Sequence, residues 1–487
     1  MATQQLGRVE TNVPSRLDRL PWARWHWLII IGLGTAWILD GLEVTIVGNL
    51  SGALSESGSG ISITQEQVSG LGGALYVAGA CVGALFFGWL TDRFGRKKLF
   101  LITLAVYLVA TAMTALSFAA WWFFLFRFLT GFGIGGEYAA INSAIDELIP
   151  ARHRGRIDII INGTYWFGAF AGALLTVPLL HGLPGNVGWR VAFGLGVVLG
   201  LAILLVRRHV PESPRWLFIH GRDREANELV DSIEQTVTAE TGRPLPEPEG
   251  SVTINQREST GFGEIASVLF RRYPRRAVLG LALFVGQAFL YNAVTFGYAQ
   301  ILQKFFDVPT GNTGYYFAVI ALGNLFGPLL LGRLFDTIGR RRMIAGTYIL
   351  SGLLLFGTAW LFGTGALNAV TMTACWCVVL FFASAGASSA YLTVSEVFPL
   401  ETRAMAIAFF YAIGTAAGGI TGPLLFAKLV GSGQVSQTVT AFCVGAGLMA
   451  GAGVVAWFLA INAEGRSLED LATPLSAADD ARVRQAG

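Results

Sequence analysis

Charge is what this chain has least of. Only 13% of its 487 residues are Asp, Glu, Lys or Arg, against about 25% in an ordinary soluble protein, and its mean hydropathy is +0.57. A surface facing water on all sides cannot be covered at that level, which excludes a large soluble enzyme. Lysine is rarer still, with Lys97, Lys98, Lys304 and Lys428 alone among 34 basic residues. Cysteine is scarce, and Cys81, Cys375, Cys377 and Cys443 all fall inside apolar segments. The Cys-x-Cys at 375–377 lacks His or carboxylate companions, so it reads as small packing residues and no metal site is expected. Histidine is limited to His26, His153, His181, His209 and His220, scattered near the ends of apolar runs or in loops. With no nucleophile–base pair and no phosphate-binding glycine loop, an enzyme is disfavoured. The lack of a G-x4-G-K-[ST] motif disfavours ATP drive. Neither a cofactor nor a nucleic-acid partner is expected. A cleavable leader is not expected either, because the first 20 residues are polar and carry Arg8, Arg16 and Arg19.

Long apolar sequence is what the chain has in abundance. Crossing a bilayer takes about 20 apolar residues, and twelve runs qualify. Six lie at 27–49, 68–90, 99–118, 121–146, 157–180 and 189–206, and six more at 276–299, 314–335, 343–362, 367–396, 405–429 and 437–461. They are continuous and lack the two-residue alternation of a membrane strand, so they predict helices. Glycine recurs inside them, and Gly79/Gly83, Gly131/Gly135 and Gly168/Gly172 stand four apart. Small residues at that spacing let membrane helices approach closely.

The basic residues are unevenly placed. Segments 91–98, 150–156 and 339–342, the N-terminal tail and both ends of 207–275 are basic, whereas 51–67, 119–120, 181–188, 363–366 and 431–436 hold no Lys or Arg. This bias predicts that both termini and the central segment face the cytoplasm. The expected organisation is an all-α membrane protein of twelve transmembrane helices in two pseudo-symmetric six-helix bundles, 27–206 and 276–461. Around them stand a tail over 1–26, a cytoplasmic central loop over 207–275 and a polar tail over 462–487. In the first tail, Pro14 to Trp27 mixes Arg and Trp and reads as an interfacial anchor. In the central loop, Gly221 to Glu240 is helical in composition, and Thr241 to Gly261 reads as a flexible linker. The expected setting is the cell (inner or plasma) membrane, with lipid as the neighbour and a monomer as the working unit.

The two halves repeat. Gly88-Trp89-Leu90-Thr91-Asp92-Arg93-Phe94-Gly95-Arg96-Lys97 and Gly332-Arg333-Leu334-Phe335-Asp336-Thr337-Ile338-Gly339-Arg340-Arg341 both read G-x3-D-x2-G-R-[KR]. Further on, Glu147-x2-Pro150-x3-Arg154 answers Glu396-x2-Pro399-x3-Arg403. A duplicated helical membrane protein points to a transporter with its site between the halves. Together with Pro211-Glu212-Ser213-Pro214-Arg215-Trp216, Arg127-x3-Gly131-x-Gly133 and Gly135-Gly136-Glu137, these motifs resemble the major facilitator superfamily. The resemblance lies in its sugar-porter and metabolite:proton symporter branch, which includes aromatic-acid and synaptic-vesicle-type members, and it covers about residues 27–470. It implies two six-helix bundles that alternate access. The sugar-porter pattern Q-Q-x-S-G-x-N is reduced here to Gln287 and Asn292, and Tyr391 stands where the G-P-x-x-W pattern has Trp. Asp40-Gly41-Leu42-Glu43 instead resembles the D-G-x-D of aromatic-acid symporters.

A charge in hydrocarbon costs about 2.5–3.5 kcal/mol on insertion scales, so each needs a partner or a task. Asp40 and Glu43 share a face of the first helix, and Arg127 and Glu137 lie in the fourth. Paired carboxylates beside a permanent cation suit a proton carrier, with protonation of Glu43 breaking its pair with Arg127. The resemblance matches Glu43 and Arg127 to the family's helix-one acid and helix-four arginine. The alternative is a static ion pair that orients helices. Candidate solute contacts are Asn162, Tyr165 and Trp166, then Gln287, Tyr291, Asn292, Asn324 and Tyr391; the alternative for each is a helix–helix hydrogen bond. Asp92, Arg96, Glu147, Arg154, Glu212, Arg215, Asp336, Arg340, Glu396 and Arg403 read as a cytoplasmic gate. The expected activity is secondary active transport of a small organic metabolite, an organic or aromatic acid or a sugar-like solute, by proton symport. A proton-driven exporter of drugs or metabolites is the alternative.

Overall fold

The computed structural model describes residues 8–207, 211–248, 250–255, 262–399, 403–464 and 471–472. Its framework is a series of long helices: α1 (Arg24–Ser55), α2 (Gly73–Phe94, entered through the π-helical Gln67–Gly72), α3 (Arg96–Ala115), α4 (Ala120–Leu148), α5 (Ala151–Gly163 and Tyr165–Gly182) and α6 (Gly185–Arg207). After the central segment come α7 (Pro274–Phe306), α8 (Thr313–Thr337), α9 (Arg340–Gly363), α10 (Ala369–Val397), α11 (Arg403–Thr415, the π-helical Ala416–Ile420 and Thr421–Gly431) and α12 (Val435–Leu459). Ten stretches among the described residues are long and apolar enough to cross a membrane. The remaining two of the series are α4, which carries Arg127 and Glu137, and α6, whose apolar part Gly185–Leu201 is shorter.

Glycine sets the helix spacing around the centre of the molecule. A Cβ at Gly79 or Gly83 would stand 2.0 Å from the carbonyl oxygens of Phe128 and Phe132 on α4. From the other side, one at Gly131 or Gly135 would stand 1.9 Å and 2.0 Å from those of Tyr76 and Ala80 on α2. The same holds for α1 and α5, where Gly41 meets the Tyr165 carbonyl and Gly168 that of Ile38, at 1.8 Å and 1.7 Å. Backbone therefore lies on backbone in both pairs. Membrane helices gain van der Waals contact this way when solvent gives no hydrophobic drive.

One end of the molecule carries the repeated basic motifs. In each, a glycine with a left-handed-side backbone, Gly95 at φ 95° and Gly339 at φ 108°, turns the chain from one helix into the next. A carboxylate then meets the free N–H groups of the following helix. Glu212 accepts from the backbone N–H of Arg96 (3.0 Å) and Lys97 (3.2 Å), and Glu464 from that of Arg340 (3.2 Å). Negative charge is favoured there by the helix dipole.

The N-terminal segment departs from the expected anchor. Strand β1 (Arg8–Thr11) pairs antiparallel with β2 (Val252–Asn255), inside the stretch expected to be a flexible linker. The short helix Val13–Asp18 packs on the helix Asp223–Thr241, with Val13, Leu17 and Leu20 covering Val230, Ile233 and Val237. Arg16 reaches Asp231 and Glu234, both at 2.5 Å, and Arg19 reaches Glu234 at 2.5 Å. The amphipathic helix Asp223–Thr241 needs a cover for its apolar stripe, and its acidic flank takes the arginines a lipid headgroup would otherwise take. Trp27 stays exposed, as an anchor residue would.

Candidate functional site

A cavity of about 130 Å³ lies at the centre of the helix assembly. Its wall is drawn from both halves: Trp37 and Val44 on α1, Tyr76 on α2, Tyr138 on α4 and Asn162, Tyr165 and Trp166 on α5 face Gln287, Tyr291 and Asn292 on α7, Ser384, Ser388 and Tyr391 on α10 and Tyr411 and Thr415 on α11. Among the described residues no Asp, Glu, Lys, Arg or His lines it. Aromatic rings dominate and interlock across the halves. Trp37 stacks on Tyr138, centroids 4.7 Å apart and 14° from parallel. Tyr138 meets Tyr411 edge-on at 4.7 Å, and Trp166 leans on Tyr291 at 5.3 Å. Such a wall offers flat faces to a planar ring and hydroxyl and amide groups to its polar substituents.

Seven of the eight solute contacts expected from the sequence stand on this wall: Asn162, Tyr165, Trp166, Gln287, Tyr291, Asn292 and Tyr391. Asn324 does not. It is fully buried one layer out, where its Oδ1 accepts a 3.1 Å hydrogen bond from the Tyr291 hydroxyl and its amide donates to the Ile320 carbonyl. Its geometry makes it a support for Tyr291. Asn162 donates to the Asp158 carbonyl and carboxylate at 2.8 Å and 3.3 Å, and Asp158 is a buried acid that the sequence reading left out. Also missed were Trp37, Tyr76, Tyr138 and Tyr411. Inside a continuously apolar run an aromatic carries no mark that separates wall from packing.

The four expected proton-handling residues, Asp40, Glu43, Arg127 and Glu137, are all buried, and none lines the cavity. Glu43 and Arg127 are paired, with Nη1 donating to Oε1 at 2.9 Å and both side chains fully withdrawn from solvent. The guanidinium lies over the face of Tyr76, 4.9 Å from the ring centroid. The ion pair is thus one ring removed from the cavity, since Tyr76 belongs to the cavity wall.

Contacts between the halves occur at both ends of the cavity. At the end without basic motifs, the Tyr298 hydroxyl donates to Asn49, and Gln65 donates to Gln303 at 2.6 Å. At the basic end, the backbone N–H of Arg156 donates to Asp336 at 3.0 Å. Arg340 there binds Glu396 through Nε and Nη2 (3.1 Å each) and Asp336 through Nη1 (2.7 Å). Arg154 and Arg215, both buried, approach Asp18 of the N-terminal segment at 3.3 Å and 3.9 Å. The side chains of Asp92, Glu147 and Arg403 lie outside the described residues. Of the expected gate residues, the structure therefore gathers Asp336, Arg340 and Glu396 into one cluster, sets Glu212 on the start of α3, the helix that begins at Arg96, and brings Arg154 and Arg215 to an acid the sequence reading did not include.

Comparison with known proteins agrees with this architecture. Residues 25–474 match the family described as sugar (and other) transporters. A niacin transporter of Acinetobacter baylyi is 26% identical over 427 residues, covering 86% of this chain and 90% of that protein. A D-xylose transporter of Levilactobacillus brevis is 26% identical, covering 82% of this chain and 85% of its own. Among solved structures, a proton:xylose symporter bound to 6-bromo-6-deoxy-D-glucose superposes with a TM-score of 0.73 at 19% identity, over 92% of this chain and 98% of that one. The chain belongs to the sugar (and other) transporter family of the major facilitator superfamily, and it is a multi-pass membrane transporter and not an enzyme.

Proposed function

We propose that the protein carries a small planar-ring metabolite, an aromatic or heteroaromatic carboxylate or its amide, into the cell together with a proton. In this reading twelve helices cross the cell membrane as two six-helix bundles, 27–206 and 276–461. Both termini and the segment 207–275 are cytoplasmic, and the halves rock about the central cavity. One observation carries the reading: an uncharged, ring-lined cavity stands a single aromatic layer from a fully buried Glu43–Arg127 pair. Arg127 keeps its charge at any relevant pH, so the variable partner is Glu43. Protonated, it releases Arg127 and frees the first and fourth helices to move; deprotonated, it restores the pair.

The cavity supports a ring ahead of a sugar. Eight Trp and Tyr side chains line it, and a single-ring solute fits its volume of about 130 Å³. A niacin carrier and a xylose carrier stand equally far from this chain in identity, so the wall and not the kinship decides. Among the described residues no fixed cation lines the cavity to neutralise a carboxylate. A monoanion entering with one proton adds no net charge, which suits such a site.

The test is uptake into sealed proteoliposomes carrying an internal pH dye, with separate pools of aromatic carboxylates, their amides, aliphatic carboxylates, pentoses and organic cations. Lumenal acidification by the aromatic pool, unaffected by membrane potential for the acids, supports the reading. Acidification by pentoses alone would replace the ring with a sugar. Exchange of labelled solute with no proton movement would remove proton symport. Glu43→Gln should abolish proton-driven accumulation and keep counterflow exchange; full accumulation by that variant would take Glu43 out of the mechanism.

A further inference from the structure

We propose that Tyr76 is the residue through which occupancy of the cavity reaches the Glu43–Arg127 pair: a positioning residue for coupling, with its ring holding the guanidinium and its hydroxyl serving the solute. The inference rests on the proton-symport reading above and adds to it the element that ties solute to proton.

Four observations meet at this side chain. Tyr76 is part of the cavity wall and is itself almost wholly buried. Its hydroxyl has no hydrogen-bond partner among the described residues. A buried hydroxyl without a partner is costly, and a small turn of the ring that brings it to a polar group of a solute in the cavity would remove that cost. On its other side the ring face carries the Arg127 guanidinium, 4.9 Å from the centroid, with Phe193 a second and more distant ring at 6.0 Å. Finally, among the described residues Arg127 makes one hydrogen bond, from Nη1 to Glu43, and its Nε and Nη2 have none. A guanidinium in a dry interior held by a single hydrogen bond depends on the ring quadrupoles around it.

The main chain fixes the geometry. Gly131 follows Arg127 by one helical turn, and a Cβ there would stand 1.9 Å from the Tyr76 carbonyl oxygen. With α2 pressed on α4 at that point, the Tyr76 backbone has no room to move further towards α4. A hydrogen bond to its hydroxyl acts instead on the tilt of the ring, and the ring is the surface on which Arg127 rests. Solute binding and proton binding thus bear on the same guanidinium from two sides, the solute through Tyr76 and the proton through Glu43. Such convergence on one element is what a thermodynamic coupling between two sites requires.

The two parts of Tyr76 are separable by substitution. Tyr76→Phe keeps the face and removes the hydroxyl: the solute KM should rise about tenfold while the proton:solute ratio and the pH profile of uptake stay as in the wild type. Tyr76→Leu removes the face: the proton:solute ratio should fall and the uptake pH profile flatten, with counterflow exchange retained as the sign of a folded carrier. Tyr76→Trp, which restores a face, should restore the ratio. If Tyr76→Leu fails to fold, Tyr76→Met gives the same reading from a flexible side chain. A faceless variant with wild-type ratio and pH profile would overturn the proposal, as would Phe and Leu variants that fail in the same way. Glu43→Gln separates the levels. If it loses accumulation while Tyr76→Leu keeps full coupling, only the role of Tyr76 falls. If Glu43→Gln itself accumulates solute normally, the proton-symport reading falls and takes this proposal with it.

Discussion

Arg127 and Arg340 are both withdrawn from solvent, and each faces a buried glutamate from another helix. Arg340 uses every nitrogen: Nε and Nη2 bind the two oxygens of Glu396, and Nη1 binds Asp336 and the Phe335 carbonyl. Arg127 uses one nitrogen, and its guanidinium carbon lies over the Tyr76 ring. A saturated bidentate cluster holds one geometry firmly. A monodentate pair gives up little geometry when its acid is neutralised. The chain therefore contains a saturated and an unsaturated pair built from the same two residue types, and satisfaction of the guanidinium separates them.

The comparison is broken most severely by removing the saturated arginine. Arg340→Gln strands Glu396 in a buried position, which should cost about 3–5 kcal/mol and lower the thermal unfolding midpoint of the detergent-solubilised protein by several degrees. Glu43→Gln leaves the buried Arg127 facing an amide oxygen in place of a carboxylate, so it should lower that midpoint by less than Arg340→Gln does, while accumulation is lost. Equal thermal losses from the two variants would mean that both pairs are structural. Next in size is Gly131→Ala, which drives a methyl group into the Tyr76 carbonyl. Overpacking of this kind costs about 1–3 kcal/mol, and it should disturb coupling at Arg127 with no effect on the Arg340 cluster. Gly451→Ala, with open space around it, is the control, and wild-type transport is expected from it.

Smaller effects are expected at the N-terminal segment, which binds the basic end of the first half. Asp18→Asn weakens the contacts to Arg154 and Arg215 by about 1.5 kcal/mol, the low end for a hydrogen bond to a charged group. Cleavage of residues 8–20 by an added protease should then quicken roughly tenfold, since about 1.4 kcal/mol is a factor of ten. A cleavage rate equal to the wild type would show that the apolar contacts alone hold the segment. The smallest effect is one of pH. Burial pushes the Glu234 carboxyl up, but its hydrogen bonds and charge contacts with Arg16 and Arg19 outweigh that and hold it below the usual carboxylate range. A depressed acid stabilises the docked segment above its unfolded pKa, and that stability is lost as pH falls through the folded one. Protease sensitivity of residues 8–20 should therefore stay flat from pH 8 to 6 and rise only below the ordinary carboxylate range.

The parts of this molecule that were legible in sequence are those where chemistry is out of place. Glu43 and Arg127 stand out because charge in an apolar run is costly, and Gln287 and Asn292 because amides there need a reason. The duplicated motif marks an internal repeat, and the four-residue glycine spacing gave the two tight helix contacts. What stayed hidden had no such contrast. Trp37, Tyr138 and Tyr411 sit in helices that are apolar all round, where no periodic face points to a cavity. Asn324 differs from the wall amides only in depth, which a sequence does not record. The β1–β2 pairing and the ion pairs of Asp18 join segments far apart in the chain, and Arg16 among tryptophans is equally good at meeting a lipid headgroup or an acidic helix.

The docking of the N-terminal segment also bears on the order in which the protein is made. Ser15 donates its hydroxyl hydrogen bond to the carbonyl of Gly250, 235 residues further along the chain. At about 5–20 residues per second, a ribosome takes on the order of ten seconds or more to supply that partner. Until then Arg8–Leu20 lacks its strand partner Val252–Asn255, and of its contacts only those from the first half, such as Arg154 to Asp18, are available earlier. The clasp therefore closes only once the first half is in place, and a fusion or epitope placed ahead of Arg8 should disturb this late step while leaving insertion of the earlier helices intact.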